Sequence, residues 1–380
     1  MASIFDNNRS VKAICELIEA TTTIPIIPGK TLLFFDEIQS CIPAISSIRY
    51  FYEQSPGLHL IVAGSLLEFA LEEVPSFGVG RVRSLFMFPL SFNEFLLAHK
   101  ETALLNLLIN HDAEAPLPEV IHQKLVTYFK RFLIIGGMPE VVSKYITTNN
   151  LLECQRVLDD LIISVEADFA KYKKRVSGDR IREVFNSVIK QTGNKFSYSY
   201  RGSSLSNVQI KQALDLLQMA GLVFTVTHTA ANGIPLGAEI NTKSRKFLLF
   251  DTGILQRILG LNISDLLLEN DLDMINKGAI AELHVGLELI KSQAPYTKQE
   301  LYYWQREAKS SQAEVDYVIQ KNGTIVPIEI KSGKKGSMQS MHLFIKEKKA
   351  AKGIRVSLEN FSKLGQIDIY PIYASGQIVS

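Results

Sequence analysis

The chain has little cysteine. Three residues in 380, Cys15, Cys41 and Cys154, stand far apart and are odd in number. That pattern builds neither a disulfide framework nor a zinc site, and it suits a reducing cytoplasm. There is no long uninterrupted apolar run, so no membrane span is expected. The first residues, Met1 to Asn8, lack a basic stretch followed by an apolar one, so no secretory leader is expected. Neither charge is in excess: 41 Lys and Arg against 39 Asp and Glu leave +2. This excludes a chain-wide polyanion-binding signature and leaves only local basic patches. There is no internal repeat and no low-complexity tract. A chain of this length holds about two to four domains with ample core.

The sequence also lacks G-x-x-x-x-G-K-[ST], the loop whose N–H groups cradle phosphates. Gly29-Lys30-Thr31 resembles its end, but the first glycine would fall at Ile24. Pro25 and Pro28 precede it, and a strand rather than a helix follows, so it reads as a turn. What is present is the other half of such a site. Leu32-Leu33-Phe34-Phe35 is an apolar run that suits a strand of a parallel sheet buried on both faces, and Asp36-Glu37-Ile38-Gln39 closes it. In P-loop ATPases the first carboxylate at such a strand end helps hold Mg²⁺ and the second orients water.

Around this strand the spacing predicts βαβ order. Ser10 caps a helix with Val11, Ile14, Leu17 and Ile18 on one face, and Pro43 to Tyr52 reads as a second helix with proline in its first turn. Leu58 to Ala63 is a second buried strand, parallel to the first. Ser65 then stands beyond its C-terminal end, where open α/β sheets keep ligands. Two roles fit Ser65: contact with a phosphate or water, or capping of a helix from Leu66. Arg81, after Gly78-Val79-Gly80, fits either an arginine finger or a surface cation. From Ser91 to about Tyr172 the pattern is helical, broken at Gly136-Gly137-Met138-Pro139-Glu140, as in a lid.

Residues from Asp179 to Phe250 read helix, helix, strand, loop, strand, a winged-helix outline. Ser206 caps the second helix, and Gly221 ends it. That helix carries one basic residue, Lys211; the wing offers Lys243, Arg245 and Lys246. DNA contact and protein packing both remain open here.

The second chemical signal lies near the C-terminus. Glu314-Val315-Asp316-Tyr317-Val318-Ile319, Asn322-Gly323 and Ile325-Val326-Pro327-Ile328-Glu329-Ile330-Lys331 predict a β-hairpin. Alternation puts Glu329 and Lys331 on one face, with Asp316 able to meet Glu329 across the hairpin. Glu282, on a helix from Gly278 to Leu289, supplies a third carboxylate. Such a set can hold Mg²⁺, activate water and stabilise a phosphate's growing charge. A cross-strand salt bridge is the alternative. Tyr302-Tyr303-Trp304 reads as a core strand or a stacking platform. Lys334, Lys335, Lys346, Lys348, Lys349, Lys352 and Arg355 form either a phosphate-steering patch or a solvated face.

Taken together the chain resembles the prokaryotic AAA-type ATPases that carry an uncharacterised C-terminal domain with a PD-(D/E)xK nuclease-like core. The matching stretches are Leu32 to Gln39, Ala63 to Glu68, Gly80-Arg81-Val82, Pro89 to Phe95, Gly136 to Glu140, Asp168 to Tyr172, Phe247 to Gly253 and Tyr303 to Gly333. The resemblance implies a multi-domain α/β fold: a truncated parallel-sheet ATPase core (1–95), a helical lid (96–176), a winged helix (177–250) and a nuclease-like α/β domain (251–380). It implies Asp36 on the Mg²⁺ side, Glu37 orienting water, Ser65 as polar sensor and Arg81 as finger or sensor. Full-length members begin with a P-loop unit, and this chain starts after it. ATP is therefore implied by the family, while the residues present offer its phosphates no cradle. An exposed sheet edge would invite self-association or a partner protein. Two functions follow: a metal-dependent nuclease acting through Glu282, Asp316, Glu329 and Lys331, or a binding module for DNA or protein that does not cut.

Overall fold

The structure is a computed structural model that describes residues 2–5, 9–64, 80–172, 176–199, 205–261, 277–298, 300–307, 313–331 and 338–379. It divides into two compact units, Met1–Leu85 and Phe86–Ser380. Ser65, the pair Gly78-Val79 and the pair Lys334-Lys335 lie outside the described residues.

In the first unit α1 (Val11–Thr22) starts where Ser10 Oγ accepts from Ala13 N–H, and its Val11 and Ile14 are buried. β1 (Leu32–Phe35) pairs in parallel with β2 (His59–Val62), Leu33 opposite Leu60. α2 (Ile42–Gln54), with Pro43 in its first turn, makes the crossover. The parallel βαβ unit expected from the sequence is thus present. The expectation of a strand buried on both faces is corrected. Leu33 and Phe35 pack against Ile14, Leu60 and Phe51, while Leu32 and Phe34 are 54% and 56% exposed. The apolar clusters draw α1 and α2 to one face of a two-stranded sheet, so alternation decides burial.

The second unit opens with helices: α3 (Phe92–Ala98), α4 (Thr102–Ile109), α5 (Glu119–Ile135), α6 (Pro139–Thr148) and α7 (Leu151–Asp168). Ser91 and Glu94 form a reciprocal capping box at the start of α3. The break between α5 and α6 has a structural reason. Gly136 adopts φ +74°, and Gly137 N–H donates to Asp251 Oδ2 at 2.7 Å. Leu90 N–H donates to the Gly137 carbonyl at 2.7 Å. A Cβ on Gly137 would lie 2.3 Å from the Leu90 carbonyl oxygen. Gly137→Ala is therefore expected to lower stability by about 1–3 kcal/mol, as overpacking against backbone does. A urea midpoint equal to that of the parent chain would refute this.

Next come α8 (Gly178–Lys190) and α9 (Asn207–Met219), the latter capped by Ser206 and Gln209. β3 (Val223–Thr229) and β4 (Ile240–Leu249) are antiparallel. The helix, helix, strand, loop, strand order is as expected, but the pair is not a free-standing wing. After α10 (Thr252–Ile258) and α11 (Lys277–Lys291) come β5 (Leu301–Gln305), β6 (Glu314–Lys321) and β7 (Thr324–Ile330). α12 (Gln339–Lys348), β8 (Gly353–Ser357), β9 (Ser362–Leu364) and β10 (Ile367–Pro371) complete the chain. The described strands of this second unit form one eight-stranded sheet in the order β4-β3-β5-β6-β7-β8-β10-β9. β3 runs parallel to β5, Val226 opposite Leu301. The sheet therefore crosses the boundary expected at 250/251, because β5 satisfies the edge that the β3–β4 hairpin would otherwise leave open. Among the described residues no helix is long and apolar enough to cross a membrane.

Candidate functional site: a carboxylate cluster around Lys246

The β6–β7 hairpin forms as its sequence predicts. Asn322 and Gly323 take φ +50° and +72°, the left-handed pair of a two-residue turn. Lys321 faces Thr324 and Tyr317 faces Ile328, so Asp316 stands beside Glu329. α11 lies across this end of the sheet and brings Glu282. Gly286 on that helix permits the approach: a Cβ there would meet Tyr317 Oη at 2.3 Å and Leu248 Cδ1 at 2.5 Å. The Tyr317 hydroxyl donates to the Glu282 carbonyl at 2.8 Å.

The four residues singled out from the sequence are gathered at this end of the sheet, but each is engaged with protein. Ile330 N–H donates to Asp316 Oδ2 at 2.7 Å. Met341 N–H, at the start of α12, donates to Glu329 Oε2 at 3.1 Å. Lys331 Nζ lies 2.6 Å from Glu329 Oε1. Glu282 Oε1 is held at 2.8 Å by the ammonium of Lys246, which also lies 2.5 Å from Glu314 Oε1.

Lys246 and Glu314 are additions to the site expected from the sequence. The sequence offers Lys246 as a wing cation; in the fold it is 1% exposed, its Nζ 5.2 Å from the Tyr303 ring centroid. Burial pushes its pKa down, but Glu282, Glu314 and Asp316 outweigh burial, and the net direction is up. Burial pushes the Glu282 and Asp316 carboxyls up, with Lys246 opposing in both cases. The cluster is a buried charge network in which one ammonium is shared by two carboxylates and faces a third.

This bears on the expected Mg²⁺ set of Asp316, Glu329 and Glu282. Hard divalent ions take several oxygen ligands at one centre. Here a cation of the chain itself sits where Glu282 and Glu314 converge, and Asp316 and Glu329 accept from backbone N–H groups. Among the described residues no group of three or more His, Cys, Asp and Glu side chains is arranged to hold a metal ion. As arranged, the donor set does not fit Mg²⁺. Tyr303 and Trp304 are 0% and 3% exposed, so β5 is a core strand rather than a stacking platform.

In the first unit Asp36 and Glu37 are exposed beyond the C-terminal end of β1. Asp36 Oδ1 accepts from Glu37 N–H at 2.9 Å, and Gln39 Nε2 donates to Glu37 Oε2 at 2.6 Å. Ile38 N–H donates to the Ala63 carbonyl at 3.1 Å and carries the pairing past the strand end. Arg81 pairs with Glu53 of α2, Nε to Oε1 2.8 Å. Asp36 and Glu37 thus form an exposed acidic edge beyond the strand end. The 380 residues contain no G-x-x-x-x-G-K-[ST] to cradle a triphosphate beside it.

No curated protein matches the chain. No solved structure matches it either. Three family models do. Residues 126–265 match a domain of unknown function (DUF8612), which covers part of the expected lid segment and all of the expected winged-helix segment. Residues 277–374 match another (DUF4143), which covers α11 and every strand from β5 onward. Residues 3–96 match an AAA domain, and with the C-terminal match this supports an AAA-type ATPase family.

Proposed function

We propose that this chain is an ATPase-like protein whose C-terminal half binds nucleic acid without cutting it. The observation that carries the reading is the engagement of Glu282, Glu314, Asp316 and Glu329 with Lys246, Lys331 and backbone N–H groups. A nuclease needs such carboxylates free to hold a metal and its water. The order helix Glu, strand Asp, Glu-x-Lys, helix supports descent from a nuclease-like core. Lys346 and Lys349, on and after the last turn of α12, are exposed and suit a phosphate backbone; Lys352 pairs with Asp368 Oδ2 at 3.0 Å. Lys348 is already engaged with Asn232 Oδ1 at 2.7 Å. The AAA-type unit supports a link to nucleotide chemistry, with Asp36 and Glu37 at its acidic end.

Two assays test this on the full chain. Incubation with duplex and single-stranded DNA in Mg²⁺ or Mn²⁺ is expected to give no cleavage. Binding of the same DNA is expected to weaken with salt and to drop about tenfold or more in Lys346→Glu/Lys349→Glu, because phosphate contacts release counterions. Cutting that Asp316→Ala abolishes would instead establish the nuclease.

A further inference from the structure

We propose that the Lys246 ammonium stands in for a divalent cation, so that the wild-type chain is closed to metal at this cluster and loss of the lysine side chain opens it. The proposal shares its location with the non-cleaving reading above and is tested by a different measurement.

Three observations carry it. First, the ammonium is placed as a shared central cation would be. Oxygens of Glu282, on a helix, and Glu314, on a strand, converge on one nitrogen at 2.8 and 2.5 Å. Second, that nitrogen comes from outside the hairpin. Lys246 belongs to β4, three places from β6 in the sheet order, and reaches the cluster beside the Tyr303 ring. The carboxylates are held by elements of their own: Glu282 by α11, Glu314 and Asp316 by β6, and Asp316 further by Ile330 N–H at 2.7 Å. Their backbone positions do not depend on the lysine, and Glu314, with a side chain 29% exposed, is the one carboxylate with room to turn. Third, the charge is unequal. Glu282, Glu314 and Asp316 all act on Lys246, so one positive charge answers three carboxyl groups, and a doubly charged ion would answer them better.

Oxygen-only donors select a hard ion such as Mg²⁺ or Mn²⁺ over a soft one. Lys246→Ala removes the ammonium and leaves space where it stood. Lys246→Gln keeps most of the stem and removes the charge.

The probe is Mn²⁺ alone, followed by calorimetry and by the loss of its free-ion electron spin resonance signal. The wild-type chain is expected to bind none at this cluster. Lys246→Ala is expected to gain one equivalent of bound Mn²⁺, and to lose it again in Lys246→Ala/Asp316→Asn. Lys246→Gln is expected to lie between the two. If Lys246→Ala unfolds, Mn²⁺ is expected to restore its circular dichroism. A variant that binds no Mn²⁺, folded or not, overturns the proposal, as does a wild-type equivalent of Mn²⁺ lost in Asp316→Asn. Neither result depends on whether DNA is cut or bound.

Discussion

Lys246→Met is expected to lower the stability of the metal-free chain by about 3–5 kcal/mol, the cost of removing one partner from a buried ion pair. Glu282 is 7% exposed, and its charged oxygen at 2.8 Å from Nζ would lose its counter-charge without gaining water. Glu314, with a side chain 29% exposed, can turn towards solvent and loses less. The effect is thus mostly the cost of stranding Glu282, not the worth of the pair. A second substitution separates the two. In Lys246→Met/Glu282→Leu both charges are gone and the volume is kept, so most of the loss is expected to return. Urea midpoints of the parent, the two single variants and the double variant measure this. A Lys246→Met midpoint within about 0.5 kcal/mol of the parent, the range of a surface change, would show that the ammonium is not buried among the carboxylates.

The second large effect is on pH dependence. His284 lies on α11, 1% exposed, with ring centroids 4.8 and 5.9 Å from Phe129 and Phe132. Burial holds its imidazole far below the usual 6.5, to about 3; Lys291 adds to this, and a backbone hydrogen bond with Ile372 opposes it. The unfolded chain takes up a proton near pH 6.5, whereas the folded chain does so only near 3. The stability that comes from keeping this ring neutral is therefore complete above 6.5 and is lost as pH falls towards 3. At about 1.4 kcal/mol per pH unit the whole span is about 5 kcal/mol. The buried acids Glu288 and Asp251, both pushed up by burial, have the opposite slope. The measurement is therefore a difference between variants. Between pH 7 and 4.5, His284→Leu is expected to lose about 2–3 kcal/mol less stability than the parent. Parallel pH profiles for the two chains would show that the ring is protonated in the fold.

Much of the local structure was legible because its signals are short-range. Asn322-Gly323 fixes a two-residue turn, Ser206 and Gln209 cap α9, and the apolar spacing around Leu32 to Phe35 and Leu58 to Ala63 gives a parallel pair. The gathering of Glu282, Asp316, Glu329 and Lys331 at one end of the sheet was legible because alternation on one hairpin and one helix face brings them together. The partner that occupies them was not. Lys246 and Glu314 lie 68 residues apart by number, on strands β4 and β6 that the sequence assigns to different modules. Two signals for them were nonetheless present. Glu314 is two residues from Asp316 and so shares its face. Lys246 adjoins Phe247-Leu248-Leu249-Phe250, and a lysine entering a buried run needs anions nearby. The exposed face of β1 was missed for a different reason. Four apolar residues in a row fit a strand covered on two sides, and composition does not say how many helices arrive to cover it.

The parallel pairing of β3 with β5 has one more consequence, which concerns inheritance. The two C-terminal family models meet between 265 and 277, as though two modules had been joined there. Yet Val226, Thr227 and His228 are in register with Leu301, Tyr302 and Tyr303 across that junction, and the cation of the carboxylate cluster is donated from the far side of it. A gene fragment encoding only the last segment would specify a sheet with a raw edge at β5 and an acidic cluster without its counter-charge. Recombination at the junction would thus separate a strand from its neighbour and a charge from its answer. The smallest piece that can be passed on intact is larger than either model.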